Sequence, residues 1–136
     1  MSGTLNAIRE RIGELAATIE APLQYLPTYE SSEHSGRPHV EVTSDGQLHW
    51  VVCERGHEYE RRSTLERDEL LYWVFAAVTH EMASKFEVAH RIESEDFRRQ
   101  LFAHQLELLR RLSPSWAARR VRELGPLLDE VGLQVD

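Results

Sequence analysis

His39-Val40-Glu41-Val42-Thr43-Ser44-Asp45-Gly46-Gln47-Leu48-His49-Trp50-Val51-Val52-Cys53-Glu54 is the stretch on which the fold class turns. Val40 and Val42 alternate with His39, Glu41 and Thr43, the period of two that sends successive side chains to opposite faces of a strand. Asp45-Gly46 has the composition of a two-residue hairpin turn, in which glycine accepts a positive φ at no steric cost. The run from Leu48 to Glu54 is apolar on both faces, with Leu48, Trp50 and Val52 on one and Val51 and Cys53 on the other. A strand apolar on both sides belongs in the middle of a sheet. Arg55-Gly56 then turns the chain into a charged segment, Glu58 to Arg62, suited to an exposed edge. A three-stranded antiparallel meander is expected.

On the N-terminal side, Leu5, Ile8, Ile12, Leu15 and Ile19 step by three and four residues, one apolar stripe of a first helix. Pro22 and Pro27 bound its end, and Glu30 to Pro38 reads as a polar loop. On the C-terminal side, Ser63 with Glu66 three residues later has the pattern of a capping box opening a long helix to about Ile92. The first half of that helix is apolar on nearly every side. In its second half Phe75, Val78, Met82, Phe86 and Ala89 share one face, with Glu69, Trp73, His80, Ser84, Glu87 and Arg91 opposite. A third helix spans roughly Glu95 to Leu112 on a stripe of Phe97, Leu101, Leu108 and Leu112. Ser113-Pro114 supplies an N-cap followed by proline at the first helical position, opening a last helix with Trp116, Val121 and Leu124. Gly125-Pro126 interrupts it. The expected fold is α+β in a single domain over residues 1–136: an N-terminal helix, the meander, then three helices packed on the sheet.

At 136 residues the chain is long enough to bury a core without staples, and its 41% hydrophobic and 29% charged residues are those of a globular protein. Cys53 is the only cysteine, so no intramolecular disulfide forms. The longest apolar run, Leu70 to Val78, is about half of the roughly 20 residues that a membrane helix needs. Met1-Ser2-Gly3-Thr4-Leu5-Asn6 has neither a basic flank nor an apolar run, so no secretory signal is expected and the cytoplasm is the expected location. A net charge of −7 repels nucleic acid and anionic membranes at long range and favours a basic partner. The Arg98-Arg99, Arg110-Arg111 and Arg119-Arg120 pairs have acidic neighbours and read as ordinary surface pairs.

No catalytic spacing emerges. His80-Glu81 begins a zinc-protease motif whose second histidine would fall at position 84, and that residue is Ser84. Cys53 ends an apolar strand, the setting of a packing cysteine more than of a nucleophile. Asp68 and Glu69 fall in the first turn of the long helix, where the dipole favours negative charge in any case. No metal, no cofactor and no enzymatic activity is expected. The competing reading is a small enzyme using carboxylates or His80 in a cleft beside the long helix.

Glu60 to Gln105 threads residues of defined charge through a helical apolar pattern, and Leu26-Pro27-Thr28-Tyr29 and Cys53-Glu54-Arg55-Gly56 precede it. Through these segments and on to Trp116 the chain resembles the immunity protein 63 family of bacterial polymorphic toxin systems, whose members neutralise a neighbouring toxin. The resemblance implies a non-enzymatic antitoxin that binds a cognate toxin domain, and an acidic balance suits a basic, nuclease-like one. It carries no site residues over. From the residues themselves, a toxin-binding surface is expected where charge clusters around an aromatic: Glu54, Arg55 and Glu58 at the turn after the central strand, with Asp68, Glu69, Trp73, Glu87 and Arg91 on the long helix.

Overall fold

A computed structural model describes residues 3–32 and 34–135. Met1 and Ser2 of the leader reading, Glu33 of the polar loop, and Asp136 lie outside the described residues. The order is α1 (Gly3–Thr18), a 3-10 turn (Leu23–Tyr25), β1 (Thr28–Tyr29), β2 (His39–Val42), β3 (Leu48–Glu54), β4 (His57–Thr64), α2 (Arg67–Ala89), α3 (Phe97–Leu112), α4 (Pro114–Leu124) and α5 (Leu127–Glu130). This is the expected α+β order of helix, sheet and helices. Contacts group the chain into two compact units, the first ending at Val74 and the second beginning at Phe75. The first two turns of α2 thus belong to the first unit and the rest to the second.

In the first unit the sheet has four strands in the order β1-β2-β3-β4. The meander β2-β3-β4 is antiparallel, as the alternation predicts, and β3 lies in its middle. The fourth strand was not expected: β1 pairs parallel with β2, Thr28 against His39 and Tyr29 against Val40. Two residues are too few to show a period, which is why the pattern missed it. Leu5, Ile8, Ile12, Leu15 and Ile19 are all buried, as are Val40, Leu48, Trp50 and Val51. These are the predicted stripes of helix and strand, and α1 contacts β2 directly.

The first hairpin departs from the turn type that composition suggested. Among residues 43–47 only Gly46 has a positive φ, at 84°. Gly46 N–H donates to the Thr43 carbonyl and Thr43 N–H to the Gln47 carbonyl. That is a three-residue loop ending in a left-handed glycine, not the two-residue Asp45-Gly46 turn. The primed two-residue turn is Arg55-Gly56, with φ of 53° and 77°. There the right-handed strand twist demands two left-handed residues, and the first of them is an arginine.

The long helix also opens differently. Ser63 remains in β4, its Oγ 2.6 Å from His49 Nδ1, and Thr64 Oγ1 accepts the Glu66 N–H instead. Strand pairing outcompetes the capping box, because Ser63 stands opposite His49 in the β3–β4 register.

In the second unit, Ala83, Leu101, Phe102, Leu106, Leu124, Leu128 and Val131 form one apolar cluster. Trp116 stacks on Phe75 with ring centroids 6.1 Å apart. Ser113 caps α4 ahead of Pro114, as the sequence indicates, and Asp96, not expected as a cap, opens α3 by accepting the Arg98 N–H. Phe97, expected in the core, is 52% exposed. The stripe of α3 runs instead through Leu101, Leu108 and the unanticipated Phe102, Gln105, Leu106 and Leu109. Ala89, expected on the buried face of α2, is exposed.

Candidate functional site

In the first unit the site begins at the Arg55-Gly56 turn. Arg55 N–H donates to the His34 carbonyl and Gly56 N–H to His34 Nδ1, so the loop before β2 holds the tip of the β3–β4 hairpin. His34 is itself left-handed, with φ of 55°. Two non-glycine residues in that region, meeting at one point, mark a locally strained tip. Glu54, Arg55 and Glu58 are all exposed there.

From the tip an ionic chain runs across one face of the sheet. Arg61 reaches Glu58 at 2.9 Å and Glu41 at 3.0 Å, and Glu41 in turn meets His39 Nε2 at 2.9 Å. Burial pushes the Glu41 carboxyl up, but the hydrogen bonds from His39 and Arg61 outweigh it and hold it below the usual carboxylate range. Arg61 lowers Glu58 in the same way, and the two carboxylates raise Arg61. His39 is buried, and its Nδ1 has no hydrogen-bond partner among the described residues. None of these pairs was foreseen; Glu58–Arg61 and His39–Glu41 are close in sequence, and the Arg61–Glu41 link that joins them arises from strand register and not from sequence spacing.

At the other end of β4, Arg62 lies over the Trp73 ring at 5.1 Å from its centroid. Trp50 Nε1 donates to Glu60 on the same edge strand. Trp73 is 9% exposed, so it is a core residue whose ring face is covered by an arginine and not an open aromatic anchor. Asp68 is exposed and Glu69 half-buried at the start of α2. Glu54, Arg55, Glu58, Asp68, Glu69 and Trp73 therefore flank a single element, β4, at its two ends. A separate cleft of about 480 Å³ in this unit is lined by Arg9, Leu23, Tyr29 and Arg37 among others, with Arg9 over the Tyr29 ring.

Glu87 and Arg91 belong to the second unit. Arg91 donates to Glu87 at 2.8 and 3.1 Å, which keeps the Glu87 carboxyl low. Glu87 is buried, contrary to its expected place on an exposed polar face. Both residues line a cleft of about 550 Å³ with Ile92, Phe97 and the acidic Glu93, Glu95 and Asp96. Deeper in this unit lies a polar knot absent from the sequence reading. Gln105 donates to the Ala76 carbonyl and to Thr79 Oγ1, and accepts from Arg120 Nε at 3.2 Å. The i,i+4 apolar pattern treats a glutamine as a gap, so only the packing of the helices reveals it.

His80 is exposed and lies outside both clefts. Among the described residues no group of three or more His, Cys, Asp or Glu side chains converges as a metal ion requires. Nor is any described helix long and apolar enough to cross a membrane.

Comparison with known proteins yields one finding. The family model for immunity protein 63 matches residues 44–125. That span runs from the β2–β3 loop through β3, β4, α2, α3 and α4, and holds every residue of the candidate surface. Neither a curated protein nor a solved structure matches the chain. With the family model covering more than half of its length, the chain belongs to the immunity protein 63 family.

Proposed function

We propose that this protein is a bacterial immunity protein that binds a cognate polymorphic toxin domain and neutralises it stoichiometrically, in the cytoplasm and without catalysis. The family match over residues 44–125 carries the reading. The charge supports a choice of partner: at −7 the protein steers a basic toxin, such as a nuclease, toward itself and suits its surface after contact. The acidic residues at the ends of β4 and at the start of α2 are the local counterpart of that balance.

The test uses the toxin domain encoded beside this protein. Co-expression is expected to rescue growth, and the purified pair is expected to elute as one complex. In a titration of toxin activity, protection should saturate at a fixed molar ratio. Protection by a small fraction of an equivalent would overturn the stoichiometric reading and favour enzymatic action through the carboxylates or His80. Failure to rescue would remove the immunity reading for that toxin.

A further inference from the structure

The two edges of the sheet are treated differently. β1 closes one edge with two residues, whereas β4 leaves the other open over eight. The hydrogen bonds of the ladder tell which backbone groups of β4 face outward. Thr43 N–H donates to Gln47, so the residues of β3 that face β2 are His49 and Val51, and Trp50 and Val52 turn to β4. Trp50 and Val52 stand opposite Arg62 and Glu60, which leaves the backbone of Arg61 and Ser63 pointing away from the sheet. At the far end Cys53 spends its carbonyl on Gly36 N–H, so its partner Glu58 also faces outward. The irregularity between these stretches falls at Tyr59.

An open edge is normally blunted by lysine, proline, a bulge or charges projecting along it, and here the irregularity at Tyr59 is the one such interruption of the ladder among the described residues. β4, His57-Glu58-Tyr59-Glu60-Arg61-Arg62-Ser63-Thr64, has no lysine or proline. Its arginines are folded back onto the two faces, Arg61 onto Glu41 and Glu58, and Arg62 onto Trp73. Two large apolar side chains beside the edge, Tyr59 and Leu65, are 65% and 68% exposed. Acidic residues mark both ends, Glu54 and Glu58 at one and Glu66, Asp68 and Glu69 at the other.

We propose that β4 receives an extended strand of the toxin, which pairs with the outward backbone of Glu58, Arg61 and Ser63 and adds a fifth strand to the sheet. This rests on the immunity reading and names its surface. The chemistry selects the occupant: main-chain pairing supplies affinity, an apolar side chain at each end covers Tyr59 or Leu65, and lysine or arginine beyond them meets the acidic ends.

The test measures amide hydrogen exchange in the free protein and in its complex with a catalytically inactive toxin domain. The amides of Glu58, Arg61 and Ser63 are expected to exchange fast when free and to become protected on binding. Ser63→Pro, which removes one outward N–H, should weaken binding about tenfold or more, while Ser63→Ala, which keeps it, should stay within about twofold. A complex in which those three amides remain unprotected would overturn the proposal while leaving the immunity reading intact, even if Ser63→Pro fails to fold. Protection that grows with the concentration of the free protein would assign the edge to a second copy instead, and would also overturn it. If the unaltered pair forms no complex, both readings fall together.

Discussion

Polar groups find their partners by opposite routes in the two units. In the sheet unit, Arg61 reaches back 20 residues to Glu41, Trp50 reaches Glu60, and His49 meets Ser63. In the helical unit, Glu87–Arg91, Glu107–Arg110, Glu95–Arg99 and Arg119–Glu123 are all three or four residues apart. Apart from the pair made by the buried Glu87, helical pairs of that kind are local and largely solvated, so each contributes little to stability. Cross-strand partners bind segments distant in the chain, and their loss loosens the register itself. A sheet therefore places its electrostatics where topology is decided, and a helix places it where topology is indifferent.

Trp50 puts the first half of that contrast under the greatest load. Its ring is 4% exposed and its indole N–H is tied to Glu60. Trp50→Ala is expected to destabilise the protein by about 3–5 kcal/mol in chemical denaturation, removing core volume and a cross-strand tether together. A cost near that of a solvated helix pair would break the comparison.

Gln105 is the place where the helical unit behaves like the sheet. It links Ala76, Thr79 and Arg120 from a position with no exposed surface. Gln105→Ala is expected to cost about 2–3 kcal/mol, since Thr79 Oγ1 and the Ala76 carbonyl each lose a donor and Arg120 loses an acceptor. Fluorescence of Trp116, which lies in the same unit, should report the loss. Glu107→Gln on the neighbouring turn should leave the denaturation midpoint almost unmoved.

The strained turn gives a smaller effect with the opposite sign. Arg55 sits at φ 53° where asparagine is more at ease. Arg55→Asn should stabilise the protein by about 1 kcal/mol or less, read as a raised thermal midpoint. If it also weakens toxin binding, the arginine is kept at the tip for its side chain.

Acid provides the mildest probe. Hydrogen bonds from Arg98 hold the Asp96 carboxyl down to about 2 from a usual value of 3.8, and Glu41 is also held below its usual 4.5. Each is lower folded than unfolded, so its contribution is complete above its unfolded value and is lost as pH falls through the folded one. Stability should thus decline from about pH 4.5 downward, with the part due to Asp96 persisting until about pH 2. Raising the salt concentration should weaken the Asp96 part more, because its carboxylate is more exposed than that of Glu41.

How much of this was legible follows from the same contrast. Alternation from Val40 to Glu54 announces the hairpin, and Ser113-Pro114 announces α4, because both signals are local. The α1 stripe survives whole, since every third or fourth residue is apolar from Leu5 to Ile19. What failed depends on the third dimension. Phe97 follows the helical period but stands in the first turn of α3, where it is left open, and Gln105 breaks the period yet is fully buried. Glu87 looked like a charge on a wet face and is inside, and Trp73, which the sequence left open between a covered and an exposed place, is buried. Of the candidate surface, the sequence located the charged turn and the acidic helix start. It could not show that β4 joins them, because that requires the ladder.

Cys53, the one thiol of the chain, is 9% exposed on β3 beside the strand pair that bounds the open edge. A bulky thiol reagent can attack it only after the packing over that face of β3 opens, so the labelling rate counts those openings without any added dye or tag. The same clock is expected to slow when a partner clasps the edge, turning an ordinary packing residue into a built-in gauge of how often the sheet breathes.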